Sequence, residues 1–253
     1  MNVKASEGGA VAVPFDHDRL DRLMDEAGID VLLATSKHNA QYLLGGYKFI
    51  FFAAMDAIGH SRYLPVVVYA RGRPEQAAYV ANRMEGHEHQ AHPFWTPSVH
   101  ASCWGTVDAA KEAAAHLKKI GLDRARMGYE PGIVAAAVWM ALNHLLPDAK
   151  LVDCSGVLER LRAIKTPDEL AKLRAASELI TDSMLAVFHG QKEDAFKAEI
   201  VEALRREETN RGLTFEYCLI TIGSIYYRAI SPQRLGKGEV LSIDSGGNYH
   251  GYI

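Results

Sequence analysis

The 253-residue sequence is poor in cysteine, and the three it has are badly placed for pairing. Cys103, Cys154 and Cys218 are far apart, odd in number and never arranged as Cys-x-x-Cys. That argues against both a disulfide framework and a zinc knuckle and suits a reducing compartment, so the expected location is cytoplasmic. Long apolar runs are also missing. The strongest, YKFIFFAAM (47–55), falls well short of the roughly 20 residues a membrane helix needs, so no membrane association is expected. The first segment, MNVKASEGGAVAVPFDHD, has neither a charged n-region nor a long apolar stretch and does not read as a secretory signal. An excess of positive charge is absent: 28 Lys and Arg against 31 Asp and Glu give a net charge of −3, which offers no basic field for nucleic acid. Internal repeats and low-complexity tracts are not found. What remains is an ordinary globular composition, 48% hydrophobic and 23% charged, in a chain long enough for one large core or two modest ones.

Residues 1–15 are small and polar enough to be a flexible arm. HDRLDRLMDEAGID (17–30) then reads as a helix, with Leu20, Leu23, Met24 and Ala27 on one stripe and Gly28 at the C-terminal cap position. VLLAT (31–35) follows as a strand and HNAQYLLGGY (38–47) as a short helix closed by Gly45 and Gly46. Residues 63–80 read as a hairpin around Arg71-Gly72-Arg73-Pro74. A helix at 107–121, a strand at 124–130, a helix from Ile133 stopped by Pro147 and a strand at 150–154 complete an alternating pattern. The expected product is an α/β domain over 16–157. From 158 the pattern becomes helix, helix, strand, strand. Thr166, Pro167 and Glu169 supply an N-cap, a first-turn proline and the reciprocal glutamate of a capping box. Leu170, Leu173, Ile180, Met184 and Val187 keep helical spacing after it, and a further helix spans about 194–211. Strands are expected in EYCLITIG (216–223) and EVLSID (239–244).

The last segment, LSIDSGGNYHGYI (241–253), presents Asp244 at the end of a strand, beside what reads as a glycine turn. Taken alone, Asp244 suits a turn-forming residue as well as a functional one. NAQYLLGGY, RLRAIKTPDELAKLRAASEL and GEVLSIDSGGNYHGY together resemble the creatinase/prolidase/aminopeptidase P family. Arg162, Ile164, Lys165, Glu169, Leu173, Arg174 and Ala175 carry the resemblance at the domain boundary. It implies a creatinase N-terminal-like α/β domain followed by an α+β "pita-bread" metallohydrolase domain, of which 158–253 would be an incomplete first part.

The resemblance also gives Asp244 a role: the first of five ligands to two divalent metal ions, Mn, Co or Zn. Paired hard cations roughly 3.5–4 Å apart need several anionic oxygens around them. The second aspartate is implied eleven positions on, two beyond Ile253, and a histidine and two glutamates later still. One carboxylate makes no cage, so the 253-residue chain is expected to be inactive and not to bind the metal pair, as the N-terminal portion of a hydrolase. Peptidase members also carry a histidine seventeen residues before this aspartate, and here Tyr227 stands there, with no histidine between His189 and His250. Tyr227 is the candidate catalytic residue, as a hydroxyl donor; a strand aromatic in ordinary packing explains it equally well. The implied partners are a small-molecule or short-peptide substrate and a second copy in a homodimer. The alternative is a non-catalytic relative used for dimerisation or small-ligand binding.

Other motifs are less telling. His87, His89 and His92 have spacing that suits a metal site on a strand, against a solvated loop, which is the simpler reading. YKFIFFAAM reads as core, or else as a pocket wall or dimer contact. LRREETNR reads as a solvated helix face, and LGKGE lacks the framework of a phosphate loop.

Overall fold

A computed structural model of the chain describes residues 12–51 and 63–253. Most of the expected arm and residues 52–55 of the apolar run lie outside these. The chain divides into two compact units, one ending at Ile164 and one running from Lys165 to Ile253.

In the first unit the apolar runs become strands because both faces of the sheet are covered. β1 (Val31–Ala34) pairs antiparallel with β2 (Val66–Ala70), which pairs antiparallel with β3 (Ala78–Asn82). β3 runs parallel to β4 (Ser98–Cys103), while on the other side β1 runs parallel to β5 (Arg126–Tyr129) and β5 to β6 (Lys150–Asp153). The order is β4-β3-β2-β1-β5-β6, a mixed six-stranded sheet. Strand periodicity sends alternate side chains to opposite faces. Leu32, Ala34, Tyr69 and Tyr79 pack under α1 (His17–Glu26), α2 (Lys37–Leu43) and α6 (Ser155–Ala163). Val31, Leu33, Val66 and Val68 pack under α4 (Thr106–Lys119) and α5 (Ala136–Leu145). Each fully buried aliphatic side chain contributes about 1.5–3 kcal/mol relative to exposure. α3 (Gly86–Ala91) is a single short helix between β3 and β4.

Three boundaries differ from the sequence reading. Phe15 is not part of an arm: it is buried, with its ring edge-on to Tyr69 and Trp95. The division falls after Ile164 and not after 157, because Val157, Leu158 and Leu161 of α6 lie in the first core. α5 starts at Ala136, since the Ile133 and Val134 N–H groups are taken by the Glu130 carbonyl in a preceding turn. Tyr47 and Phe49 of the apolar run pack into the first core, while Ile50 is exposed.

The second unit consists of α7 (Pro167–Gly190), α8 (Lys197–Asn210) and an antiparallel ribbon of β7 (Thr214–Ile222) and β8 (Leu241–Asn248). The Thr166 hydroxyl accepts from the Glu169 N–H, the Glu169 carboxylate accepts from the Thr166 N–H, and its other oxygen accepts from the Tyr252 hydroxyl at 3.0 Å. The core is small: Val187, Ile200, Val201, Leu204, Ile220 and Ile222. Leu170, expected on the apolar stripe of α7, is exposed, as are Leu185 and Phe188.

The glycine pair after Asp244 corrects the sequence reading. Gly246 and Gly247 do not turn the chain; β8 runs through them to Asn248, pairing Gly246 with Tyr217 and Gly247 with Phe215. They are glycines because other groups occupy the space of a side chain. A Cβ on Gly246 would sit 2.5 Å from the Tyr217 ring, and one on Gly247 2.8 Å from Leu213 Cδ1. A glycine inside a strand often marks such a close approach. The turn comes later, at Tyr249–Tyr252, where His250 and Gly251 take positive φ.

Candidate functional site

β8 is one arm of a ribbon whose two faces differ. Ser245 and Gly247 face α8, and alternation turns Asp244 outward, half-exposed, opposite Leu219 on β7. Two groups reach its carboxylate. Arg228 Nη2 donates to Oδ2 at 3.3 Å, and the Tyr217 hydroxyl donates to Oδ1 at 3.4 Å. Neither arginine nor tyrosine was singled out from the sequence. Tyr217 carried a signal, since a bulky residue paired with a strand glycine shares its space; Arg228 carried none.

Tyr227 is exposed and lies in the long connection between β7 and β8. It is the next residue, Arg228, that meets Asp244. Two adjacent carbonyls fix this corner of the connection. That of Arg228 accepts from the Ile220 N–H at 2.9 Å, and that of Tyr227 accepts from the Lys197 ammonium. Lys197 Nζ also stands 5.5 Å from the centre of the Tyr227 ring.

The residues present do not make a metal cage. Among the described residues no group of three or more His, Cys, Asp and Glu is arranged to hold an ion. Asp244 has a guanidinium and a phenol as its neighbours; the guanidinium has no acceptor to offer a cation, and the phenol uses its proton on the carboxylate. Glu208 lies on the other face of β8, fully buried, with Oε1 3.0 Å from Ser245 Oγ. Ser245 Oγ is also 2.6 Å from the Tyr217 carbonyl. The hydroxyl has one proton and the carbonyl can only accept, so the proton goes to Tyr217 and the Glu208 contact closes only if Glu208 carries its own. Burial likewise pushes the Glu208 carboxyl above its ordinary range. A group with a raised folded pKa stabilises the fold below the ordinary carboxylate range and loses that contribution as pH rises through the raised value. Glu208→Gln, which keeps the shape and supplies a permanent donor, is therefore expected to match the parent chain within about 1 kcal/mol at pH 5 and to exceed it at pH 8 in denaturant unfolding.

The first unit has its own candidate place. The chain leaves the adjacent parallel strands β1 and β5 toward opposite faces, into α2 and α5. Crevices of this kind hold ligands in open α/β sheets. Here the protein fills it. Glu130, buried directly after β5, accepts from the Thr35 N–H, from the Ser36 N–H at 2.8 Å and from Asn39 Nδ2 at 2.6 Å. Asn39 Oδ1 in turn accepts from Arg162 of α6 at 2.9 Å.

Of the histidine run, His87 and His89 lie on α3 and His92 directly follows it, so the run is not a strand. His87 and His92 are exposed, and His89 stacks on Phe94 and accepts from its N–H at 3.3 Å. In LGKGE the Glu239 carboxylate takes the Gly236 N–H at 2.7 Å, so the loop satisfies itself. Cys103 and Cys154 are buried free thiols and Cys218 is half-buried; burial pushes both Cys103 and Cys218 up to about 11. No helix among the described residues is long and apolar enough to cross a membrane.

The described residues thus form a mixed α/β sheet unit and a second unit of two helices and a ribbon bearing one outward aspartate. Residues 17–164 match the creatinase/prolidase N-terminal domain, and the chain belongs to that family. It is 21% identical over 240 residues to the uncharacterized peptidase YqhT of Bacillus subtilis, covering 93% of this chain and 62% of that relative. Its fold is similar to that of an Xaa-Pro dipeptidase from Bacillus anthracis (TM-score 0.75, 20% identity), with 92% of this chain and 61% of that one covered. The prolidase from Pyrococcus furiosus gives a TM-score of 0.71 at 16% identity, covering 92% and 66%. The chain thus spans about three-fifths of the length of the first two of these relatives.

Proposed function

We propose that this chain is the N-terminal part of a binuclear-metal-dependent hydrolase acting on peptide or related C–N bonds, with Asp244 as its first metal ligand. The observation that carries the reading is the place of Asp244. It is an outward carboxylate on a two-stranded ribbon, in a chain whose first unit matches the family and whose fold follows Xaa-Pro dipeptidases over 92% of its length. On this reading the remaining ligands lie in the part of the fold that this chain, at about three-fifths of those relatives' length, does not span. By itself it is a partial enzyme without activity. Mn, Co or Zn, a short-peptide substrate, a homodimer and a cytoplasmic location all belong to the proposal for the whole protein. Tyr227, exposed on its corner, is the proposed hydroxyl donor to substrate at the position of the peptidases' histidine.

The alternative, a non-catalytic relative serving in dimerisation or small-ligand binding, finds support in the Arg228 partner of Asp244 and is opposed by Glu130, which fills the first unit's ligand crevice. Reading the coding DNA beyond the Ile253 codon separates the two. The enzyme reading expects an aspartate two residues on, then a histidine and two glutamates. In a protein of that length Asp244→Asn should cut metal-dependent hydrolysis by at least about 100-fold, the upper range for losing a supporting group of a metal site. An immediate stop codon, or a longer frame without those residues, would remove the enzyme from consideration.

A further inference from the structure

Lys197 is the most anomalous side chain in the second unit. It is fully buried, at 0% exposure, and is the first residue of α8. Every general effect opposes an ammonium there. Burial removes its hydration and pulls its pKa below the ordinary lysine value. The positive end of the helix dipole repels it. Among the described residues no carboxylate pairs with it, and the thiol of Cys218, pushed up to about 11 by burial, supplies no thiolate at neutral pH. What the ammonium does have is the Tyr227 carbonyl and the Tyr227 ring. Replacing buried charges by apolar residues of similar volume is often neutral or stabilising. A plain core position would therefore be served as well by methionine. The lysine's effect lies at the other end of its hydrogen bond, in the connection between β7 and β8.

Farther along, the connection is pinned at Arg234, which pairs with Asp194 and lies over the Phe196 ring, and at Leu235, which packs on the core; close to the corner its other contacts are few. The Ile220 N–H donates to the Arg228 carbonyl, the Lys197 N–H donates to the Gln233 carbonyl, and Gln233 Nε2 donates to the Ile222 carbonyl at 3.0 Å. Tyr226, Tyr227 and Ile230 point largely into solvent and give it no apolar anchor. With the Tyr227 carbonyl pinned from below and the Arg228 carbonyl pinned from β7, the Arg228 side chain is presented across the ribbon to Asp244. We infer that Lys197 is a positioning residue that fixes the Tyr227–Arg228 corner, and that Arg228 thereby serves Asp244 as its resident counter-ion where family resemblance would place a divalent cation. The inference takes Asp244 as the carboxylate of the proposed site, but the pairing itself needs no metal. It gives the chain a cation of its own at that carboxylate and makes any ion entering there compete with a guanidinium.

The test uses the 253-residue chain without metal. The exchange of the Arg228 Nη–H protons with water, followed by NMR at low temperature and assigned by their loss in Arg228→Lys, reports whether the guanidinium is held. An exposed pair contributes up to about a fivefold protection. Exchange is expected to rise by up to that factor in Asp244→Asn and to a similar degree in Lys197→Met. The midpoint of thermal unfolding of the second unit should be unchanged or higher in Lys197→Met. Unchanged exchange in Asp244→Asn would overturn the counter-ion role. Unchanged exchange in Lys197→Met would overturn the positioning role, and so would faster exchange accompanied by a lower midpoint, which is what an ordinary core residue would give. Failure here leaves Asp244 as a proposed ligand of the longer protein, whereas a stop codon after Ile253 would end that proposal without touching the pair.

Discussion

Glu130→Ala is expected to lower the stability of the first unit by about 3–5 kcal/mol, and Glu130→Gln by roughly half as much. Glu130 is 4% exposed, and its carboxylate receives two backbone N–H groups, the Thr35 hydroxyl and one side-chain amide. Alanine strands the three N–H donors in a dry interior, at about 1–3 kcal/mol each, and takes the acceptor of the Thr35 hydroxyl, partly offset because a charge no longer has to be buried. Glutamine keeps one acceptor oxygen but turns an NH2 toward other donors. The damage also spreads. Asn39 loses the partner of its amide N–H while its oxygen still holds Arg162, so α6 loosens with α2. Urea unfolding monitored by fluorescence provides the check, with Trp95 as a local reporter because its indole N–H donates to the Leu43 carbonyl at the end of α2. A midpoint shift worth less than about 1 kcal/mol for Glu130→Ala would show that the network contributes little beyond ordinary hydrogen bonds.

This network also shows where sequence reading stops. Gly28, Gly45 and Gly46 could be placed as helix ends because a left-handed turn leaves a local mark, and all three take positive φ. The capping box at Thr166 and Glu169 was legible because its residues lie three apart. The hairpin of β2 and β3 followed from two apolar runs around a Gly-Arg-Pro turn. Glu130 and Ser36 are 94 residues apart, and nothing near either one announces the other. Phe15 failed for the same reason: one aromatic in a polar stretch is informative only once Tyr69 and Trp95 are known to lie beside it.

The candidate site divides along the same line. Asp244 was found through its resemblance to a family motif, and its outward orientation agrees with strand alternation. Arg228 and Lys197 were invisible. One is a charged residue in a turn-rich connection, where charge is commonplace. The other, in KAEIVEAL, resembles any solvated lysine at the start of an amphipathic helix. Only the fold shows that α8 begins underneath Tyr227. Glu208 was read as part of a charged helix face, yet it sits fully buried beneath Gly247, because β8 carries no side chain there to keep it out.

Gly246→Val should have the second large effect, and it follows from the same ribbon. The valine Cβ would start 2.5 Å from the Tyr217 ring and 3.1 Å from Ile253 Cγ2, well inside contact distance. The ring would have to swing away, taking its hydroxyl off Asp244, or the register of β8 would have to give. Overpacking of this kind costs about 1–3 kcal/mol. In a unit whose core comprises six buried side chains, that is a large share of the available stability. Valine's preference for strands works in the opposite direction but spans only about 1 kcal/mol across all residue types, too little to reverse the outcome. Limited proteolysis of the 253-residue chain reads the effect unit by unit. Cleavage between 165 and 253 should accelerate roughly five- to hundredfold in Gly246→Val, because cleavage tracks the population of the opened form, while cleavage within 12–164 stays as in the parent. Equal cleavage in parent and variant would mean that the Tyr217 ring moves aside without loosening the ribbon.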